Sequence, residues 1–400
     1  MEPLNMSHSK HILVYPFPMA GHIIPLLDLT DLLLHHGLTI TVIISPANLP
    51  LLDPLLSSHP SSLHKLLFSE PDIDPSLHPV IGKLISTEKL YDPIAKWFKS
   101  HPWPPVAIIS DFFLGWTSEL ASDLGIRRVV FNPSGVLGSS IYQTMWRDVE
   151  KMNTHDSLLS FPEIPNSPEF PSWQLPPIPR VYKNGGSDLE SLRKRMLANM
   201  TSWGIVYNTF EELEGVYIDH IKKQMGHDRV WAVGPLLPND DGLIATTGRG
   251  GSSVVPPGDL LMWLDDKPDD SVVYICFGSL TTLNEKQMGA LTGALEVSNV
   301  KFILCVNGGG SGSVPIGFED RYTDEKLLVD ELGVGKRVCK GLPDNVPDSV
   351  ELARLLDESL SENMPERVKV KKLSQAASKA IKEGTSMRDL DVFTKLLSEL

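Results

Sequence analysis

Apolar and polar positions along the first fifty residues fall into three successive patterns. Residues 11–17 (HILVYPF) form an apolar run the length of a buried strand, and residues 38–45 (LTITVIIS) form a second run rich in β-branched side chains. Between them, in IIPLLDLTDLLLHHG, Ile23, Leu26, Leu27, Leu33 and Leu34 recur at near-helical spacing. Pro25 suits the first turn of that helix and Gly37 its C-terminal cap. Strand, helix and strand in this order predict a βαβ unit with a right-handed crossover, the start of an α/β domain. The turn Pro18-Met19-Ala20-Gly21-His22 sets His22 where a loop meets a helix N-terminus. That is the carboxyl edge of the sheet, where open parallel sheets place their ligands.

The same alternation continues. VAIISDFFLGW (106–116) predicts a strand running into a loop, TSELASDLG (117–125) a helix, and RRVVFNPSG (127–135) a strand ending in a turn. WGIVYNTFEELE (203–214) predicts a strand and then a helix, and RVWAVGPLLP (229–238) the last strand of a first domain. Two stretches break the pattern: residues 45–79, rich in Pro, Ser and His, and residues 160–179, dense in Pro and aromatics. Both read as irregular, the second as a loop walling a pocket. Residues 239–258 carry the Gly, Ser and Pro content of a linker. Beyond them SVVYICFGSL, the helix NEKQMGALTGALEVS and the strand KFILCV open a second α/β unit, and the chain from Ser349 onward is amphipathic helix. The expected division is 1–238, a linker at 239–258, and 259–400.

Composition narrows the function classes. The chain has 400 residues, 42% of them hydrophobic, enough for two or three globular domains. Its formal charge of -14 argues against a nucleic-acid partner, which calls for a basic surface. No basic region joined to an apolar core begins the chain, so neither a secretory leader nor membrane insertion is expected. Cys276, Cys305 and Cys339 are odd in number and widely spaced, which points to buried free thiols in a reducing cytoplasmic setting. The sequon at Asn199 is then expected to go unused. The His35-His36 pair shows no metal-ligand spacing tied to cysteine or carboxylate, so no metal is expected.

Seven pieces, in order, carry a resemblance: PMAGHIIPLLDL, ISDFFLGW, WGIVYNTFEELE, VWAVGPLLP, MWLDDKPDDSVVYICFGS, VPIGFEDR and LLVDELGVGKRV. They resemble the plant family-1 UDP-dependent glycosyltransferases, and among them the branch acting on flavonoids and related phenolics. The resemblance implies a GT-B fold, two Rossmann-like α/β domains facing across a cleft, the first holding the acceptor and the second the UDP-sugar. It implies inverting transfer from UDP-glucose, a co-substrate rather than a cofactor, to a small phenolic acceptor. His22 matches the family's base in its Gly-His-x-x-Pro turn, and Asp111 the aspartate that orients it. A helix N-terminus disfavours a charged His22 and a nearby carboxylate favours it. Phe17, Phe112, Trp116, Ser134 and Gly135, at strand ends, are candidate acceptor contacts, with core packing an equal reading of the aromatics. Gly278 and Ser279 match the Gly-Ser loop that approaches the donor, where small residues admit a diphosphate or sugar. The glycine-rich run 308–312 does not fit dinucleotide spacing and reads as a loop.

One departure stands against this match. In the family the segment after the GFEDR-like motif supplies a uracil-stacking tryptophan, a helix start that holds the diphosphate, and a glutamate and an Asp-Gln pair that read the ribose and sugar. Here Gly317-Phe318-Glu319-Asp320-Arg321 runs through Tyr322-Thr323-Asp324-Glu325 straight into KLLVDELGVGKRV, and no other stretch replaces the signature. The second domain is therefore expected to be truncated, its donor site defective, and the apolar faces of SVVYICF and KFILCV exposed. A catalytically inactive acceptor-binding protein is the alternative reading.

Overall fold

The computed structural model describes residues 9–74, 79–152, 157–176, 187–237, 255–278, 283–305, 320–339, 341–342 and 344–400. Residues 239–254 of the expected linker, Ser279, the 308–312 run and residues 317–319 lie outside the described residues. Contacts divide the chain into two compact units. One takes in Met1–Ser172, Pro177–Gly250 and Ala376–Leu400, the other Trp173–Pro176 and Gly251–Gln375.

The first unit is built on a seven-stranded parallel sheet. Its elements begin β1 (His11–Tyr15), α1 (Ala20–His35), β2 (Thr39–Ile44), α2 (Leu49–Ser58), β3 (Leu63–Leu67), α3 (Pro79–Ser86), α4 (Tyr91–Ser100), β4 (Ala107–Asp111), α5 (Thr117–Leu124), β5 (Arg127–Asn132) and α6 (Val136–Arg147). A short antiparallel pair follows, β6 (Leu158–Ser160) with β7 (Glu169–Pro171), and then β8 (Gly204–Tyr207) and β9 (Val230–Ala232). The strand order is β3-β2-β1-β4-β5-β8-β9. Central strands β1 and β4 are buried along their whole length, which is why they read as continuous apolar runs. β3 sits at an edge with only Leu63 buried, so LHKLL carried no strand signal, and the stretch read as irregular from 45 to 79 in fact holds α2 and β3. The 160–179 stretch likewise contributes β7 and a 3-10 turn at Ser172–Gln174.

Helix α1 begins earlier than its proline suggested. Ala20 is the first helical residue, so Pro25 lies in the second turn, inside the helix. At the other end Gly37, with φ 82°, closes a Schellman motif: its N–H donates to Leu34 O and that of Leu38 to Leu33 O. The side chains of α1 and those of β1, β2, β4 and β5 share one core cluster. The final helix, Thr385–Ser398, joins that same cluster through Leu390, Phe393 and Leu397. Phe393 is fully buried with its ring centroid 4.8 Å from that of Trp231 on β9. Asp389 accepts the N–H of Ala232 at 2.7 Å, so the helix also covers the outer edge of the sheet. Residues 376–400, placed by sequence with the second part of the chain, thus pack with the first unit.

In the second unit β10 (Val272–Cys276) and β11 (Lys301–Cys305) form a two-stranded parallel sheet, joined through the helix Glu285–Val297. Asn284 and Gln287 close a capping box at the start of that helix. Its small core comprises Leu291, Ala294, Leu295, Val300, Leu352 and Ala353. Tyr274 and Phe302 on the strands are exposed, as the sequence led one to expect. The expectation of buried thiols fails: Cys276, Cys305 and Cys339 are all exposed, the first two because a two-stranded sheet covers few of its own side chains. Among the described residues no helix is long and apolar enough to cross a membrane.

Candidate active site

Strand order reverses between β1 and β4, and parallel sheets open a crevice at the carboxyl ends of the strands at such a point. His22 is the third residue of α1, the helix that follows β1, and Asp111 is the last residue of β4. The reversal brings together two residues 89 positions apart: His22 Nδ1 lies 2.8 Å from Asp111 Oδ2. Asp111 is fully buried, and its Oδ1 accepts the N–H of Phe113 at 2.9 Å. An ionised carboxylate only accepts, so Nδ1 carries the proton and Nε2 is the basic nitrogen of the neutral ring.

Aromatic side chains hold the imidazole in place. Phe113 and Phe112 stack on it at 5.0 and 5.8 Å, and Phe17 meets it edge-on at 5.4 Å. With the His22 side chain only 15% exposed, the ring is fixed by packing as well as by its hydrogen bond. Such an arrangement can take a proton from a hydroxyl brought to Nε2 while Asp111 stabilises the imidazolium that forms.

Support for this pair comes from a fully buried cation. Arg128 on β5 donates through Nε to Ser110 Oγ at 3.0 Å and Thr117 Oγ1 at 2.8 Å, and through Nη2 to Asn199 Oδ1 at 2.9 Å. Burial pulls the guanidinium down to about 9, still charged at neutral pH, and the Asp111 carboxylate opposes that shift. Asn199 in turn donates to Phe112 O at 2.9 Å. Because Asn199 is 1% exposed and bonded at both ends of its amide, the sequon cannot carry a glycan in the folded chain. Replacing Arg128 by methionine strands several buried acceptors at once. The expected result is a loss of about 2–4 kcal/mol in urea unfolding; a change below about 0.5 kcal/mol would show that the network is idle.

The remaining candidates divide by contact. Phe17 and Phe112 touch the His22 ring. Trp116 does not: it packs against Tyr15 and Tyr91 and donates to Thr87 Oγ1 at 3.1 Å, a core role. Ser134 donates its N–H to Asn132 Oδ1 at 2.9 Å, and Gly135 caps the N-terminus of α6. A Cβ on Gly135 would sit 3.0 Å from Glu214 Oε1, the oxygen that accepts the N–H of Leu137. In ISDFFLGW, Gly115 is required by a closer approach, since a Cβ there would fall 2.0 Å from the main-chain oxygen of Arg195. On the other unit Gly278 follows β10 with φ 72°, a left-handed conformation natural to glycine.

Sequence reasoning missed Arg128, Asn199 and Glu214, and also Glu70 and Lys83. Glu70 accepts from Ser45 Oγ and Asn48 Nδ2 and pairs with Lys83 at 3.0 Å, and Lys83 Nζ donates to Pro18 O at 3.0 Å. These groups line a cavity of about 30 Å³ beside Tyr15 and Ile23, room for a water rather than a ring. No local pattern distinguishes such residues, since their partners lie tens of positions away.

Comparison with known proteins agrees over nearly the whole chain. No family model matches it. The chain is 40% identical to UDP-glycosyltransferase 89B2 of Stevia rebaudiana, over 98% of this chain and 99% of that protein. It is 38% identical to the flavonol 3-O-glucosyltransferase UGT89B1 of Arabidopsis thaliana, over 98% and 97%. The crystal structure of Arabidopsis thaliana UGT89C1 complexed with UDP matches with a TM-score of 0.77 at 30% identity, covering 97% of this chain and 99% of that one. The quercetin complex of the same protein gives 0.76 at 28% identity, covering 98% and 100%.

Proposed function

Because the chain belongs to the plant UDP-glycosyltransferase family, with its α/β GT-B class of fold, we propose that it is an inverting O-glycosyltransferase of a small phenolic acceptor such as a flavonol, with an incomplete donor site. The observation that carries the first part is the 2.8 Å His22–Asp111 bond at the strand-order reversal. His22 Nε2 takes the acceptor hydroxyl proton as the oxygen attacks the anomeric carbon. Asp111 keeps the ring in the tautomer that can accept it. Phe112, against the imidazole at 9% exposure, is the aromatic surface an acceptor ring would meet first, while Phe17 is fully buried and backs the ring from the core. UDP-glucose serves as co-substrate, and no cofactor takes part. The cytoplasm is the expected compartment.

Three observations support an incomplete donor site. The alignment with the Stevia relative spans 475 positions, more than a chain of 400 residues can fill, so part of that relative faces no residue here. The second unit has β10 and β11 as its only sheet among the described residues. An open groove of about 490 Å³ walled by Val273, Val334, Val338, Leu352 and Leu356 runs beside them. The family groups that hold the uracil and diphosphate belong to the segment absent after Arg321. Without them the leaving diphosphate loses several donors, each a factor of ~10²–10³ in rate at such sites. The same observations favour a second reading, a flavonoid-binding protein that performs no transfer.

One experiment tests both. The purified chain is titrated with quercetin and with UDP, then incubated with UDP-glucose and a flavonol panel, products being read by mass spectrometry. The expected result is saturable flavonol binding with no UDP saturation up to ~1 mM, a binding free energy weaker than about -4 kcal/mol. Traces of glucoside that vanish in His22→Ala favour the enzyme reading, and flavonol binding with no product favours the binding protein. Micromolar UDP affinity would overturn the incomplete donor site.

A further inference from the structure

We propose that Asp31, His35 and His59 form a binding site for a divalent transition metal ion of the zinc class. The three residues converge from two helices: Asp31 and His35 are one turn apart on α1, and His59 is the C-cap of α2. Their donor atoms all lie within 4.8 Å of one another. His59 Nε2 is 2.9 Å from Asp31 Oδ1, and His35 Nδ1 is 3.4 Å from the same oxygen. Zinc bonds to nitrogen and oxygen of ~2.1 Å in a tetrahedron set neighbouring donors ~3.4 Å apart. The His35–Asp31 separation matches that edge, the His59–Asp31 one is about 0.5 Å short of it, and the two imidazole donors lie within 4.8 Å, so an ion can enter once the His59–Asp31 hydrogen bond opens.

Burial and chemistry favour the same ligand. Asp31 is 6% exposed, the His59 side chain 16%, and His35 forms the open rim at 51%. The two imidazoles cross at 87° with centroids 5.0 Å apart, so neither ring stacks on the other's face. Two imidazoles and a carboxylate are a borderline donor set that suits zinc, and the fourth position, on the His35 side, is left to water. Binding through Nδ1 requires His35 to give up its hydrogen bond to the main-chain oxygen of Asp31, now 2.8 Å. His36 stays outside, its Nε2 directed to Asp391 at 3.3 Å.

The site is separate from the proposed chemistry. His22 lies in the first turn of α1 and His35 ends it, thirteen residues and roughly 20 Å along the axis. A bound ion would clip the end of α1 to the end of α2, just before the edge strand β3. It acts as a staple of the first unit, independent of any donor site.

The test uses the full chain, freed of any tag and stripped with chelator, titrated at pH 7.5 with Co²⁺ and then Zn²⁺. One equivalent of Co²⁺ is expected to give the visible absorption of a tetrahedral site and to be displaced by Zn²⁺. His59→Gln and Asp31→Asn should each weaken binding at least ~10-fold, as loss of one ligand does, with unchanged circular dichroism. His36→Ala should bind as the parent does. Cys276, Cys305 and Cys339 are exposed thiols able to take zinc, so the titration is repeated with all three changed to serine. Absence of stoichiometric binding, binding that survives His59→Gln, or binding lost with the cysteines would each overturn the proposal.

Discussion

If the donor site is incomplete as proposed, then in a chain supplied with a donor segment, replacing His22 by alanine lowers kcat for flavonol glucosylation by ~10²–10⁴, the usual contribution of a positioned general base. The segment is taken from the 40% identical Stevia relative and inserted after Arg321, so that the chemical step is limited by the acceptor side. His22 is the only histidine placed at the strand-order reversal with a fully buried carboxylate on one nitrogen, among the described residues. Asp111→Asn should lose almost as much, because an amide can donate to Nδ1 and stabilise the wrong tautomer. Flavonol affinity should change little in either variant, since neither change removes the aromatic walls. Retention of kcat within threefold in His22→Ala would remove the base assignment.

Insertion of that segment is itself expected to have the largest effect. It should raise kcat/KM for UDP-glucose by at least ~10³, since it restores more than one donor to the diphosphate and each is a factor of ~10²–10³. UDP affinity should move from beyond ~1 mM into the micromolar range, a gain of about 4 kcal/mol. A structural readout accompanies the kinetic one. Tyr274 and Phe302 on β10 and β11 are 65% and 39% exposed, and a completed sheet would cover them. Amides of residues 272–276 and 301–305 should then exchange more slowly. An insert that slows exchange but leaves UDP unbound would show that the donor site fails for a reason other than the absent segment.

The elements that position the site were legible where burial is two-sided or helical periodicity is strong. β1, β2, β4, β5, α1 and α5 each follow from an apolar run or an i, i+3, i+4 pattern, and Gly37 and Gly125 close their helices with positive φ. The exposed edge strand β3 was not legible. β3 at one edge buries one residue of five, whereas β9 at the other is buried along its three residues, under a helix from more than 150 positions away, and was read from RVWAVGPLLP. The thiols were misjudged for a related reason: an apolar run such as VVYIC is buried only if further strands and helices cover it.

By itself the sequence determined the βαβ grammar of both units and the positions of His22 at a helix start and Asp111 at a strand end, all of which are written in neighbouring residues. Tertiary structure alone decided that Arg128 braces Ser110 and Asn199 and that Asn199 holds Phe112, that Trp116 is core, that the last helix seals β9, and that His59 meets Asp31 and His35. The reason is physical: periodicity encodes which face of an element is apolar, whereas a side-chain pair across two elements depends on sheet order, register and packing distance, which no short stretch of chain contains.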